Sequence, residues 1–452
     1  MRTLPNLLLA FTLLTQPLLA NPPKPLIADD ARAVAMPVLT KTANGQMLLS
    51  WAEKETDGKT YLYTALSGDQ GQTFSDKRLV YAANGIGSSR LMKPRVLTLP
   101  NGKLMAVFTL RTDSTAPTAQ TAPPAGPAAG PAAEHNHAGM NHEAAKPAST
   151  PMAGQSAQKP NEGPRRGRTP ATTQIMVCTS TDGGQTWTAP QPIDSDPTPN
   201  LVRGFFDAAV LRNGEVAVAY LKDVAGSTKH EERNLRLVVT KYGQFQPERI
   251  IDPVVCDCCN ISLLVDANGA LNVYYRDNND DIRDMARLTS TDNGLTFSAP
   301  QPLYADNWKI NGCPHSGPSA AKAGNGTLVT WYSGTTTNGA GVRVVNQQGE
   351  RLTVLADPSA RNASLTEATG AAVLLWDQVR GATDGRPAET PVTAIGYQLI
   401  QPNKAGEVKW LADSEQGQNA SGLVVGDQLV VAYELKRPGK PNALQLGYVA
   451  LK

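Results

Sequence analysis

The chain has 452 residues, with 42 Lys+Arg against 40 Asp+Glu and a formal charge of +2, too even a balance for a nucleic-acid binder or a polybasic membrane-surface protein. With 40% hydrophobic residues, 39 Gly and 34 Pro, it reads as a globular chain dense in turns and poor in long helices. Its length allows two or three ordinary domains or one large all-β domain.

Residues 1–20 begin Met1-Arg2, run through a Leu-dominated stretch from Leu4 to Leu19 and close at Ala20 before Asn21-Pro22-Pro23, the layout of a secretory signal peptide. The stretch is too short, and too interrupted by Pro5, Gln16 and Pro17, to span a bilayer. No cysteine follows it to carry a lipid, and no second stretch approaches membrane length. The mature chain, 21–452, is expected to be soluble and periplasmic or secreted, with no membrane span.

Beyond it one unit recurs: an alternating apolar run, a turn at Asn-Gly or a close variant, then a second apolar run such as Leu104-Met105-Ala106-Val107-Phe108 or Leu429-Val430-Val431-Ala432-Tyr433. The turn glycines are Gly45, Gly102, Gly214, Gly269, Gly326, Gly370 and Gly426, at intervals of 57, 112, 55, 57, 44 and 56 residues. Asn-Gly between apolar runs marks a hairpin, because Gly takes the positive φ of a tight turn. The doubled interval holds 57 residues, 112–168, dominated by Ala, Pro, Gly, Ser and Thr. They are expected to be a disordered insertion, and without them the interval returns to 55.

The insertion carries three of the five histidines of the chain, His135, His137 and His142, with Met140 among them. Imidazole and thioether together suit copper in either oxidation state, although a hydrophilic linker is the plainer account. Cys178, in Ile175-Met176-Val177-Cys178, reads as a buried small apolar residue, and His230, beside two glutamates, as a solvated loop residue.

Three boxes share the pattern Ser-x-Asp-x-Gly-x-Thr-aromatic: Ser67 to Phe74, Ser180 to Trp187 and Ser290 to Phe297, with degenerate copies at Tyr242–Phe245 and Asn346–Gly349. In each the Asp carboxylate caps a tight turn, the Gly takes the backbone angle that bulkier residues resist, and the aromatic packs back between strands. These boxes resemble the Asp-box, or BNR, repeats of the sialidase superfamily. The resemblance implies an all-β fold: a single β-propeller of four-stranded blades, seven by the count of turns, with six as the alternative. In a ring the last blade is commonly completed by an N-terminal strand, for which Pro25–Ala28 and Ala33–Met36 are the candidates.

The boxes are turn staples and leave the function open. Sialidases grip a substrate carboxylate with three arginines and carry an Arg-Ile-Pro motif, a Tyr-Glu nucleophile pair and an acid-base Asp. Here the nearest string to Arg-Ile-Pro is Lys93-Pro94-Arg95-Val96, after the first box rather than before it. Arg95, Arg203, Arg276, Arg283, Tyr275 and Tyr433 align with no member of the set, and each also reads as an interblade contact.

Two strings stand out, each just before the first strand of a unit: Cys256-Asp257-Cys258-Cys259-Asn260 and Trp308 to Pro318, which contains Cys313-Pro314-His315. Between them lie Tyr274-Tyr275-Arg276-Asp277 and Ile282-Arg283-Asp284. This order resembles a group of secreted bacterial sialidase-like proteins with Cys-x-Cys-Cys and Cys-Pro-x-x-Gly-Pro motifs, which implies a shared site without naming its reaction. Corresponding positions of neighbouring repeats meet near the ring axis, which predicts a soft metal site of Cys256, Cys258, Cys259, Cys313 and His315 suited to copper, with zinc as the alternative. Cys256 and Cys258, two apart in an extended segment, would point to one side. Disulfides among these cysteines are the competing account in an oxidising compartment.

The leading expectation is therefore an exported propeller that binds copper, its partners being the ion and a periplasmic metal-handling protein. The alternatives are an exo-glycosidase acting on acidic glycans and a disulfide-stapled scaffold. As an enzyme it would be a sialidase-like hydrolase or a copper-dependent redox enzyme, with Arg276, Arg283, Asp284 and Tyr275 the candidate catalytic residues.

Overall fold

The recurring apolar runs fold into hairpins, and successive hairpins stack as blades of a ring. A computed structural model describes residues 31–113, 171–227, 232–335, 337, 339–380 and 392–451. The segment 1–20 expected to be a signal peptide, His230, and the insertion 112–168 apart from Thr112 and Asp113 lie outside these residues, as do His135, His137, Met140 and His142. Among the described residues no helix is long and apolar enough to cross a membrane.

Seven antiparallel sheets follow in chain order. Blade 1 spans 33–84, blade 2 spans 95–113 and 171–192, blade 3 spans 203–252, and blades 4 to 7 span 262–304, 319–355, 361–410 and 417–450. Blade 3 has its outer strand in two pieces, Gln244–Phe245 and Arg249–Asp252, both paired with Arg233–Lys241. Blade 7 has three strands among the described residues. The seven-bladed count therefore holds, and the short unit around Gly370 is a full blade.

Second strands are nearly continuous apolar runs because both of their faces are covered by neighbouring blades. Met47–Lys54 and Val216–Asp223 are buried along seven of their eight residues. The hydrophobic side chains form seven clusters, one at each blade-to-blade interface. Cys178 lies fully buried between blades 1 and 2, where burial pushes its thiol up to about 11.

Of the two candidates for the closing strand, one is reassigned and the other lies outside the described residues. Ala33–Met36 belong to the first strand of blade 1, paired with Met47–Lys54, and Pro25–Ala28 lie outside the described residues. Among the described residues the last blade meets the first by packing: Val34, Leu39 and Met47 share a cluster with Val430, Ala432 and Leu444. Across the same seam Met36 N–H donates to Glu434 Oε1 at 2.9 Å and Tyr448 Oη to Gly71 O at 2.7 Å. One turn also moves: Ala323 pairs with Gly326, so Gly324, at φ +60°, makes the blade 5 hairpin and Gly326 starts its second strand.

The three boxes follow the third strands of blades 1, 2 and 4. In the second, Ser180 Oγ donates to Asp182 Oδ1 at 2.7 Å, and Gly184 N–H donates to Ser180 Oγ at 2.8 Å. Thr186 N–H and Oγ1 donate to the two Asp182 oxygens at 2.9 and 2.6 Å. The other two boxes repeat these bonds. Phe74, Trp187 and Phe297 each pack on the interface with the preceding blade, so the box ties a turn and an interface together.

Candidate functional site

First strands of four blades carry a bulge with a non-glycine residue in the left-handed region: Met36, Phe205, Asn362 and Asn419, with φ between +53° and +57°. A bulge frees a backbone N–H from its ladder, and at two of the four a carboxylate on the second strand of the preceding blade receives it. Glu434 takes that of Met36, and Asp377 takes that of Asn419 at 3.0 Å. Burial pushes Asp377 up to about 6, even with Asn362 and Asn419 donating to it.

These first strands surround an axial pocket of about 260 Å³ whose wall includes Arg90, Lys93, Arg95, Asn260, Asn362 and Asn419. Arg95 Nε pairs with Asp207 Oδ1 at 2.7 Å, and Arg90 Nη1 donates to Asn362 Oδ1 at 3.0 Å. Burial, with Arg95 beside it, pulls the Lys93 ammonium down to about 8. Of these cations the sequence reading marked only Arg95 as a ligand group. Arg90 and the two asparagines carry no local signal, since they become neighbours only through ring closure.

The two Cys strings are the loops entering blades 4 and 5, and both reach the pocket wall, at Asn260–Ser262 and Ser316–Ser319. Gly317 joins them. Its N–H donates to Asn260 Oδ1 at 2.9 Å, and a Cβ there would sit 1.8 Å from Asn260 O, so no other residue permits this approach.

Cys256 and Cys258 do not sit in an extended segment. A turn at Asp257-Cys258 folds the string on itself and brings in Cys259, leaving Cys256 Sγ 3.8 Å from Cys258 Sγ and 3.5 Å from Cys259 Sγ. All three are buried in the core between blades 3 and 4. A second group, Cys258, Cys313 and His315, has its ligand atoms within 4.8 Å of one another, with Cys313 and His315 exposed. The structure carries all five cysteines without a disulfide.

The arrangement fits a soft ion. Thiolate sulfurs bound to zinc lie about 2.3 Å from it, so two ligands of one ion are at most about 4.6 Å apart, and both measured separations fall inside that limit. Burial and the neighbouring sulfurs push the Cys258 thiol up. Cys259, although buried, is held down by hydrogen bonds from Cys256 and Cys258 and by Arg276. One sulfur of the group thus carries the charge more readily than its neighbours.

The four candidate catalytic residues frame these loops, and none lines the axial pocket. Arg276 spends its guanidinium on backbone carbonyls: Nε and Nη2 on Ser316 O at 3.1 and 2.8 Å, Nη2 also on Tyr332 O at 2.8 Å, and Nη1 on Arg283 O at 2.5 Å. Asp284 accepts from Asn307 and Trp308 N–H at 2.8 and 3.1 Å. Tyr275 Oη donates to Asp252 Oδ2 at 2.5 Å, and burial with that carboxylate raises its phenol far above the usual value. Arg283, 7% exposed, has its guanidinium against the Cys256 sulfur. Arg203 is buried on Asp194 at 2.6 Å, and Tyr433 Oη donates to Asp413 O, both structural contacts.

Residues 162–364 match the BNR repeat-like domain family, and no curated protein matches the sequence. Among solved structures, a protein of unknown function from Dyadobacter fermentans is 14% identical over 94% of this chain and 97% of its own, with a TM-score of 0.49. Hadza microbial sialidase Hz136 is 13% identical over 89% of this chain and 76% of its own, TM-score 0.43. A family PL25 polysaccharide lyase, an ulvan lyase, is 10% identical over 93% and 95%, TM-score 0.47.

Proposed function

We propose that this sialidase-like BNR-repeat β-propeller is an exported binding protein for a soft transition-metal ion, copper before zinc, held by the loops entering blades 4 and 5. The observation that carries the reading is the gathering of Cys256, Cys258, Cys259, Cys313 and His315, far apart in sequence, into ligand-sized groups. Thiolate with neutral imidazole selects Cu(I) or zinc. The buried Cys256, Cys258 and Cys259 group has no fourth Cys, His, Asp or Glu ligand among the described residues. Structural zinc takes four ligands, so a three-sulfur seat favours an ion content with fewer. The insertion, with His135, His137, Met140 and His142, is a second collector of the same ion in this reading. Tyr275, Arg276 and Asp284 hold the two loops in register.

Elemental analysis of the mature protein, purified without a histidine tag from copper-supplemented cells, is expected to find at least one copper per chain. The combined variant Cys256→Ser, Cys258→Ser, Cys313→Ser, His315→Ala is expected to lose it from the propeller. Propeller copper that survives the four changes overturns the site, and zinc in its place selects the alternative ion.

A second reading has its own support, the three cations Arg90, Lys93 and Arg95 in the axial wall. They favour an anionic ligand such as an acidic glycan. Turnover of a fluorogenic sialoside or another acidic glycoside would establish this activity, and inactivity across a broad panel would remove it.

A further inference from the structure

The five ligands form two triads rather than one cluster. Cys256, Cys258 and Cys259 are one, Cys258, Cys313 and His315 the other, and only Cys258 belongs to both. Since ligands of one ion lie within about 4.6 Å of each other, atoms too far apart to share a group belong to different ions. The triads also differ in setting: the first is wholly buried, while the second has two exposed members.

Resting on the metal-binding reading above, we propose that the two triads are separate seats for two monovalent soft ions, Cu(I) in chemical class, bridged by the Cys258 sulfur. The exposed seat receives an ion from solution or a carrier, and the buried seat retains it.

Two further observations point the same way. Arg283 is 93% buried by its 7% exposure, and its Nε and Nη1 find no hydrogen-bond partner. Its Nη2 pairs with Asp281 Oδ1 at 3.6 Å, and the rest of this buried guanidinium, costly to leave without an acceptor, lies against Cys256. Three thiolates around a monovalent ion carry a charge of −2, and both Arg283 and Arg276 lie beside them. His315, in turn, holds a backbone φ of +50°, a conformation that disfavours a non-glycine residue. It is enforced from the next residue, where the Arg276 fork grips Ser316 O.

Each seat fills by ligand exchange. A thiol releases its proton to water as its sulfur binds, the arriving ion sheds its carrier or solvent ligand, and no electron moves. Passage inward trades the bonds to Cys313 and His315 for bonds to Cys256 and Cys259 while the bond to Cys258 persists.

The test is an anaerobic Cu(I) titration against a chromophoric chelator, in the full chain with His135, His137, Met140 and His142 changed to Ala. Two equivalents are expected in this background. Cys313→Ser/His315→Ala is expected to keep one tightly held equivalent that loads at least tenfold more slowly. Cys256→Ser/Cys259→Ser should keep one weakly held equivalent, and Cys258→Ser neither. Arg283→Gln is expected to weaken Cu(I) retention in the buried seat about tenfold. One equivalent that either pair of changes abolishes overturns the two-seat proposal and leaves the metal-binding reading standing. No copper in the unsubstituted triads overturns both.

Discussion

The box turns on the rim and the Cys turn near the axis are both short loops tied by side chains, yet they end in opposite chemical states. In the box at Asp182 each carboxylate oxygen, the Ser180 hydroxyl and the Thr186 hydroxyl find each other. The turn is closed to further partners. In the Cys turn three sulfurs face one another inside the core, and Arg283 brings a guanidinium with two unsatisfied nitrogens to their edge. Three copies of the first turn staple blades. The second occurs once, and what it leaves unsatisfied is what a ligand can use.

The sharpest way to break this contrast is Gly317→Ala. The new methyl would meet Asn260 O at 1.8 Å and drive the two Cys loops apart, at a cost of about 3 kcal/mol by overpacking. A lower melting temperature together with at least tenfold weaker copper retention is expected; unchanged copper binding would show that the loops need not touch.

A smaller effect, confined to the axial pocket, is expected of Lys93→Met. Lys93 sits near 8 because burial and Arg95 oppose its charge, with Asp377 and Glu434 on the other side of the balance. It is charged below that pH, so binding of an anionic ligand should weaken as pH rises through about 8. The substitution should weaken binding about tenfold at pH 7, equal to about 1.4 kcal/mol, and flatten the pH profile. Copper stoichiometry should not change.

The smallest effect is expected at the rim. Asp182→Asn and Asp292→Asn remove carboxyls held well below the ordinary range by the hydroxyls of Thr186 and Thr296. Depressed carboxyls stabilise fully above their unfolded value of about 3.9 and lose that contribution as pH falls through their folded values. The double variant should melt slightly lower at pH 7, differ less from the parent below pH 3, and bind copper unchanged. A metal defect in it would erase the distinction between rim and axis.

Local chemistry was legible in the chain wherever it acts within a few residues. The box pattern and the seven turn glycines predicted the propeller, and Cys178 among apolar neighbours predicted a buried thiol. The blade 5 hairpin was misplaced by two residues because Gly324-Asn325-Gly326 offers two glycines, and only strand pairing selects Gly324. Arg276, Asp284 and Tyr275 drew the eye beside the Cys strings, but a side chain that grips a backbone carbonyl cannot be told in sequence from one that grips a ligand.

The sequence by itself determined the blades, their staples and the presence of soft donor side chains, because strand period, turn angle and donor atom are properties of short segments. Tertiary structure alone decided that Met36 meets Glu434 across the seam of blades 1 and 7, that Arg90 meets Asn362, and that Cys258 stands in both groups of soft side chains. Those are distances between segments tens to hundreds of residues apart, set by how seven blades share the space around one axis.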